Sequence, residues 1–486
     1  MEAVLAEEQR EGLRRRLGPL DLVFLGVGAI IGTGIFVLTG VAAARYAGPG
    51  VVLSFILAGA ASALAALVYA ELASMVPVAG SAYTYSYASL GEVVAWIIGW
   101  DLILEYTVAA GAVAIGWAGY LASLLQAAGL AVPQWLAAPP GAGGFINLLA
   151  LPVVLAVAAF LTYGTRESAT ANTAVVLVKL AVIGVFLFLG LKRIDPGLWR
   201  PLLPYGVGGV MTGASIVFFA YIGFDAVSTA AEEVKNPRRD LPRGILGALA
   251  LSTALYVAVA AVLTGLVSYR ELNVPSPLAY ALVRHGLPWA SALVSVGALA
   301  GLTSVILVDI FGQTRVFFAM ARDGLLPHWL ARLHPRYRTP ALTTWLTAAA
   351  VFGIAAFLPI GFVAEMANIG TLAAFVLVSL GVIILRQLKP DQPRPFKVPF
   401  YPWTPLLSLV FSLYLMLNLP ALTWVRFAVW LVVGLIIYLA YGHRASRLAE
   451  QRAGRVPAFL PGPAAKPWPG DRETRRSEVR EEGKGD

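Results

Sequence analysis

From about residue 20 to residue 442 the chain is a series of long apolar runs separated by short polar connections. A helix crossing a bilayer needs roughly 20 mostly apolar residues, and about twelve stretches supply them. They fall near residues 20–44, 51–76, 92–125, 146–163, 169–191, 207–233, 243–267, 290–318, 341–358, 363–386, 404–420 and 424–442. The third is long enough to tilt strongly or to begin before the bilayer. The pattern predicts an all-α polytopic membrane protein.

Two of these runs are interrupted. The first carries Gly28-Ala29-Ile30-Ile31-Gly32-Thr33-Gly34-Ile35-Phe36 and the sixth Phe218-Phe219-Ala220-Tyr221-Ile222-Gly223-Phe224-Asp225. Glycine at this density releases the backbone from helical geometry. Released backbone survives at membrane depth only where it is buried in protein or lines a cavity. Paired interruptions in corresponding positions of two halves point to the substrate site of a secondary transporter. Spans 1–5 lie over spans 6–10 in this reading. Spans 1 and 6 share the break, and spans 3 and 8 share buried carboxylates. An odd number of spans per repeat gives the halves opposite topology, an inverted repeat. Spans 11 and 12 lack charges at mid-span and are expected at the periphery.

Composition agrees. Of 486 residues, 58% are hydrophobic and 13% charged, where a soluble chain has about 25% charged. The net charge of +9 would suggest nucleic acid or a membrane surface, but its distribution decides. Basic residues collect at Lys235, Arg238, Arg239 and Arg243, at Arg322, Arg332, Arg336 and Arg338, and at Arg386, Lys389, Arg394 and Lys397. The alternate loops are poorer. Lys/Arg-rich loops stay cytoplasmic, so both termini are expected inside the cell membrane, and no nucleic-acid partner is needed. Residues 1–16 lack an apolar core with a cleavage site, so no removable signal peptide is expected. Domain limits follow: a cytoplasmic segment 1–18, a membrane domain 19–442 (repeats at about 19–191 and 207–386, then two added helices at about 404–442), and a disordered cytoplasmic tail 443–486. Residues 77–91 read as an amphipathic interfacial segment, and 268–288 as an irregular connection able to form part of an external gate. Cysteine is absent, and the four histidines show no metal-ligand spacing.

The breaks suggest a chemistry. Past Ile30, the N–H groups of Gly32, Thr33 and Gly34 would open a half-helix, whose N-terminal end favours an anion such as a carboxylate. In span 6 the carbonyls of Phe219, Ala220 and Ile222 would be left unpaired and receive an ammonium. Together they suit an α-amino acid. The plainer alternative is that the glycines only let helices pack closely.

At this point the chain resembles the amino acid–polyamine–cation superfamily of permeases, in its cationic amino acid transporter-like branch. The resemblance rests on the two breaks, then on Glu232-Glu233-Val234-Lys235-Asn236-Pro237-Arg238-Arg239-Asp240-Leu241-Pro242, Gly312-Gln313-Thr314-Arg315 and Arg322-Asp323-Gly324-Leu325-Leu326-Pro327. It spans residues 17–440. It implies the LeuT-type 5+5 inverted repeat with two peripheral helices, alternating access around broken helices 1 and 6, and amino acid uptake coupled to protons or driven by exchange.

Lys179 lies mid-way along span 5, thirteen residues from Arg166. A lysine at the bilayer centre costs roughly 2.5–3.5 kcal/mol on insertion scales. The resemblance gives it a role: proton-coupled members place a lysine here in the position of a sodium ion, so Lys179 would be a proton-dependent latch onto the span 1 break. Sodium held by Thr303 and Ser304 is the competing idea, and a buried ion pair the structural one. Asp101 and Glu105, four apart, share a helix face. Glu105 matches a carboxylate of bacterial members and suits a proton carrier, whereas Asp101 is expected to be a packing hydrogen-bond partner. Asp225 supports the span 6 break or faces the substrate. Asp309 departs from the resemblance, which implies an uncharged side chain lining the pocket for the substrate's side chain. An aspartate there would attract arginine, lysine or ornithine. The alternative is that it neutralises Lys179 and leaves a pocket for small neutral amino acids. Glu71, Glu232, Glu233 and Glu365 read as gating or packing residues.

The expected function is proton-coupled symport of cationic amino acids, with a neutral amino acid permease, an amino acid/amine exchanger and a non-transporting sensor as rivals. No enzyme activity, cofactor or metal is expected. The partners expected are the substrate, protons and the lipid bilayer, with room for a small single-span membrane protein.

Overall fold

The computed structural model describes residues 17–75, 83, 91–130, 132–163, 169–225, 227, 234–337, 339–388 and 390–446. Twelve major helices run through them: α1 (Pro19–Ile30), α2 (Val51–Met75), α3 (Glu92–Ala127), α4 (Leu151–Tyr163), α5 (Ala169–Leu191), α6 (Gly206–Val217), α7 (Pro237–Leu266), α8 (Pro288–Arg322), α9 (Ala341–Phe357), α10 (Ile360–Leu388), α11 (Trp403–Leu417) and α12 (Ala421–Ile437). By length and composition, seven helical segments among the described residues suffice to cross a membrane, and five shorter apolar helices stand beside them. The chain is a multi-pass membrane protein. Helices satisfy their own backbone polar groups, the condition for spanning lipid. Several begin with proline at the first turn (Pro19, Pro237, Pro288), where the missing N–H costs nothing.

Small residues set the helix contacts. α3 and α8 run antiparallel: Gly99 faces Met320, Gly312 faces the ring of Tyr106, and the indole N–H of Trp117 donates to the Thr303 hydroxyl at 3.0 Å. α7 packs on α1 through Gly26, which abuts Ala248. α12 lies at the edge and docks on α3 by a stack of Trp100 on Trp430, 4.5 Å between centroids. Their indoles also donate to each other's carbonyls.

Both broken helices are present. α1 stops at Ile30, Ile31 is extended, and the chain resumes as a wide π turn over Gly34–Leu38. α6 tightens into a 3-10 turn at Phe218–Tyr221 and then becomes extended at Ile222. Gly223 has φ +105°, a conformation that glycine alone adopts readily.

The 268–288 connection is more regular than expected. It contains a 3-10 turn at Tyr269–Glu271 and a helix at Pro277–Arg284. Order also continues past 442 through a short helix, His443–Ala445, whose backbone meets Gly324. The amphipathic reading of 77–91 lies outside the described residues except at Tyr83 and Gly91; Tyr83 donates to Asp323 at 2.7 Å. The tail from 447 and Glu232 and Glu233 also lie outside them.

Candidate substrate and coupling site

The two breaks meet. Gly34 lies so close to Ala220 that any side chain on it would collide with the Ala220 backbone. Around this crossing is a cavity of about 20 Å³, lined by Ile30, Gly32, Thr33 and Gly34 from the first break, Phe219 and Ile222 from the second, Ala109 and Val113 from α3, and Val305 and Asp309 from α8. That volume admits a water molecule and not an amino acid, so the site is too narrow for a substrate in this conformation. On the side where α3 ends, the 268–288 connection packs on α3 and on the helix that follows the first break. Pro275 abuts Gly119, and Leu272 and Pro277 abut Gly40. Tyr120 donates to the Phe36 carbonyl at 2.8 Å.

Gly32, Thr33 and Gly34 line the cavity where the half-helix begins, and the first N–H groups of a helix have no acceptor within it. The Thr33 hydroxyl is fully buried without a hydrogen-bond partner. The second break differs from expectation. The Phe219 carbonyl accepts the Ile222 N–H at 3.2 Å, and the Ala220 carbonyl accepts the Tyr256 hydroxyl at 2.7 Å. Neither is unpaired, because the 3-10 turn closes its own bonds and α7 supplies a tyrosine. Each keeps a second lone pair.

Lys179 reaches from α5 to the first break. Its ammonium donates to the Gly28 carbonyl at 2.7 Å and to the Ile31 carbonyl at 3.2 Å, the orphan acceptors at the end of α1. Its stem lies on Gly301 of α8.

The amino acid permease family profile matches residues 17–440. Over 454 residues the chain is 48% identical to the branched-chain amino acid permease BcaP of Bacillus subtilis (strain 168), covering 92% of this chain and 97% of that one. It is 46% identical over 450 residues to the methylthioribose transporter of the same organism, covering 92% and 98%. The vacuolar cationic amino acid transporter 4 of Arabidopsis thaliana matches at 40% over 388 residues, 78% of this chain and 64% of that one. This chain belongs to the amino acid permease family.

Among the described residues, the permease carries four carboxylates near its breaks. Glu105 is buried and within electrostatic reach of Asp225, Asp101 and Asp309. Asp309 stands in the cavity wall, its Oδ2 buried without a hydrogen-bond partner, and feels the charge of Lys179. Asp225 is buried at the end of the second break. Asp101 is not the hydrogen-bonded packing residue expected, since neither of its buried oxygens has a hydrogen-bond partner. It faces the notch at Gly370 of α10. The Thr303 and Ser304 hydroxyls donate to Leu299 and Gly301 of their own helix at 2.8 and 2.9 Å.

Two functional candidates escaped the sequence reading. Tyr256 is fully buried and holds its hydroxyl 2.8 Å from the Ile30 carbonyl and 2.7 Å from that of Ala220, one from each break. Only its position in an otherwise apolar stretch of α7 marked it. The second is the set of donors around Glu71, a residue the sequence marked only as gating or packing. Its carboxylate takes Nε of Arg386 at 2.9 Å, Nη2 of Arg386, and the Val398 N–H at 2.7 Å, with Arg394 at 3.5 Å. It fastens the end of α2 to the end of α10 and to the loop that follows.

Proposed function

We propose that this permease carries an α-amino acid by alternating access, coupled to protons through Lys179. One observation carries the reading: a small cavity walled by both breaks, with a buried lysine bonded to the carbonyls that end α1. The substrate carboxylate would meet Gly32, Thr33 and Gly34, and its amine the second lone pairs of the Phe219 and Ala220 carbonyls and that of Ile222. Bonds from an ammonium are stronger than those from a neutral amine, so loss of the Lys179 proton loosens α5 from the first break. In this reading Glu105, buried among other carboxylates, serves as a proton carrier, and Asp225 braces the second break. The charge bias of the loops supports cytoplasmic termini.

For the substrate's side chain, Asp309 favours a cation. Its Oδ2 is buried in the cavity wall without a hydrogen-bond partner, and the guanidinium of arginine or the ammonium of lysine or ornithine would supply donors. A second reading, a branched-chain or small neutral substrate, is favoured by the apolar lining of Ala109, Val113, Val305 and Ile222. The two Bacillus relatives are also named for neutral substrates. Thermal stabilisation of the purified protein by each amino acid separates the two. Stabilisation by arginine, lysine and ornithine supports the cationic reading, and stabilisation by leucine, valine or alanine alone overturns it. Uptake into proteoliposomes without internal substrate, driven by an acid-outside pH gradient, tests the coupling. A response only after preloading would make the protein an exchanger.

A further inference from the structure

The inverted repeat pairs α5 with α10 and the first break with the second, so whatever α5 does for the first break has a counterpart on α10. That counterpart is Asn368. It is fully buried, and its Nδ2 donates to the carbonyls of Ser215 at 2.7 Å and Ile216 at 3.2 Å, at the end of α6 just before the 3-10 turn. Lys179 bonds to the Gly28 and Ile31 carbonyls at the end of α1 in the same manner. For one acceptor of each pair the register agrees: Lys179 and Asn368 are 189 residues apart, and Gly28 and Ile216 are 188 apart, while the other pair, Ile31 and Ser215, is 184 apart.

We infer that Asn368 is a second latch, a positioning residue that holds the α6 break to α10 as Lys179 holds the α1 break to α5. The two latches differ in one respect. The lysine bears a charge that a proton can remove, while the amide is neutral throughout and donates at every pH. Resting on the alternating-access reading above, the α1 break is then the one a proton releases, and the α6 break stays clamped while the substrate amine is held. The partner geometry also assigns the amide orientation. Two carbonyls face Nδ2, and Oδ1 is left buried without a hydrogen-bond partner.

The test uses the full chain in lipid nanodiscs and in proteoliposomes. Asn368→Leu keeps the volume and removes the donor; Asn368→Ala removes both; Asn368→Gln keeps the amide. Without any substrate, amide hydrogen exchange across residues 217–223 is expected to speed up about tenfold in Asn368→Leu, the equivalent of one buried hydrogen bond. Exchange across residues 30–35 is expected to stay within about twofold of the parent, and Asn368→Gln to restore protection of the α6 break in part. In proteoliposomes, radiolabelled arginine, leucine and alanine are the probes. For whichever of them the parent carries, Asn368→Leu is expected to raise KM about tenfold with a smaller change in kcat. If Asn368→Leu matches the parent in exchange at 217–223, or if both breaks loosen equally, the latch is overturned. Should Asn368→Leu or Asn368→Ala fail to fold, the same exchange comparison on Asn368→Gln decides: protection at 217–223 lost as widely as across the whole fold overturns it, and a loss confined to that break supports it. A parent that transports none of the three probes would defeat the transport reading and leave the exchange result to decide the latch.

Discussion

Gly34 and Ala220 touch backbone to backbone where the two interrupted helices cross. The contact brings the positive end of the Gly34–Leu38 half-helix and the carbonyl-rich turn of α6 into one small volume. It is the geometric basis of the site, and it tolerates no side chain on Gly34. Gly34→Ala is expected to cost about 1–3 kcal/mol as the crossing is forced apart. The check is a lower thermal midpoint together with loss of uptake, and a variant with parental uptake would contradict the tight crossing.

Tyr256 has one hydroxyl proton and two carbonyls within reach, Ile30 and Ala220. It therefore ties the breaks to α7 in this conformation. Tyr256→Phe removes the donor and leaves the ring in place. The expected loss is about 1–3 kcal/mol of preference for this conformation, the cost of an unsatisfied buried acceptor. Uptake should fall while the protein remains monodisperse in detergent; unaltered uptake would show that the hydroxyl is dispensable.

Asp309→Met replaces the carboxylate in the cavity wall by an apolar side chain. If a cationic side chain is held there, binding of arginine and lysine should weaken by about 1.5–3 kcal/mol, the range for a hydrogen bond to a charged group. Binding of small neutral amino acids should improve. A competition profile measured before and after the change reads this directly, and an identical profile would remove Asp309 from selectivity.

Glu71 is buried, and its carboxylate joins Arg386, Arg394 and the Val398 N–H. Glu71→Ala would leave partly buried guanidinium groups without their anion. Breaking a buried pair from one side costs about 3–5 kcal/mol. A large drop in the thermal midpoint is expected, with the double change Glu71→Ala plus Arg386→Met recovering part of it. Equal midpoints for the parent and Glu71→Ala would show that the clamp is not structural.

Lys179→Ala should abolish accumulation driven by a pH gradient while exchange of internal for external substrate persists. Gradient-driven accumulation at the parental level would exclude Lys179 from coupling.

By itself the sequence determined the membrane class, the number of spans, the two breaks and the isolated lysine. Each of these is local: apolar run length, glycine density, a charge where lipid forbids one. The expectation of unpaired carbonyls at Phe219 and Ala220 failed because it counted only bonds along one helix. Their donors are the Ile222 N–H in an unforeseen 3-10 turn and Tyr256, 36 residues from Ala220 in sequence. Asp101, expected to have a hydrogen-bond partner, has none for either oxygen. Only the tertiary structure decided which acceptors Lys179 and Asn368 reach, that Tyr256 stands between the breaks, and that Glu71 gathers two arginines from the α10 end. The reason is physical. Apolar periodicity says which residues leave water, but a buried polar group must be satisfied by whatever the packed helices bring beside it. Those partners lie 148 and 151 residues away for Lys179, and 315 for Glu71 and Arg386.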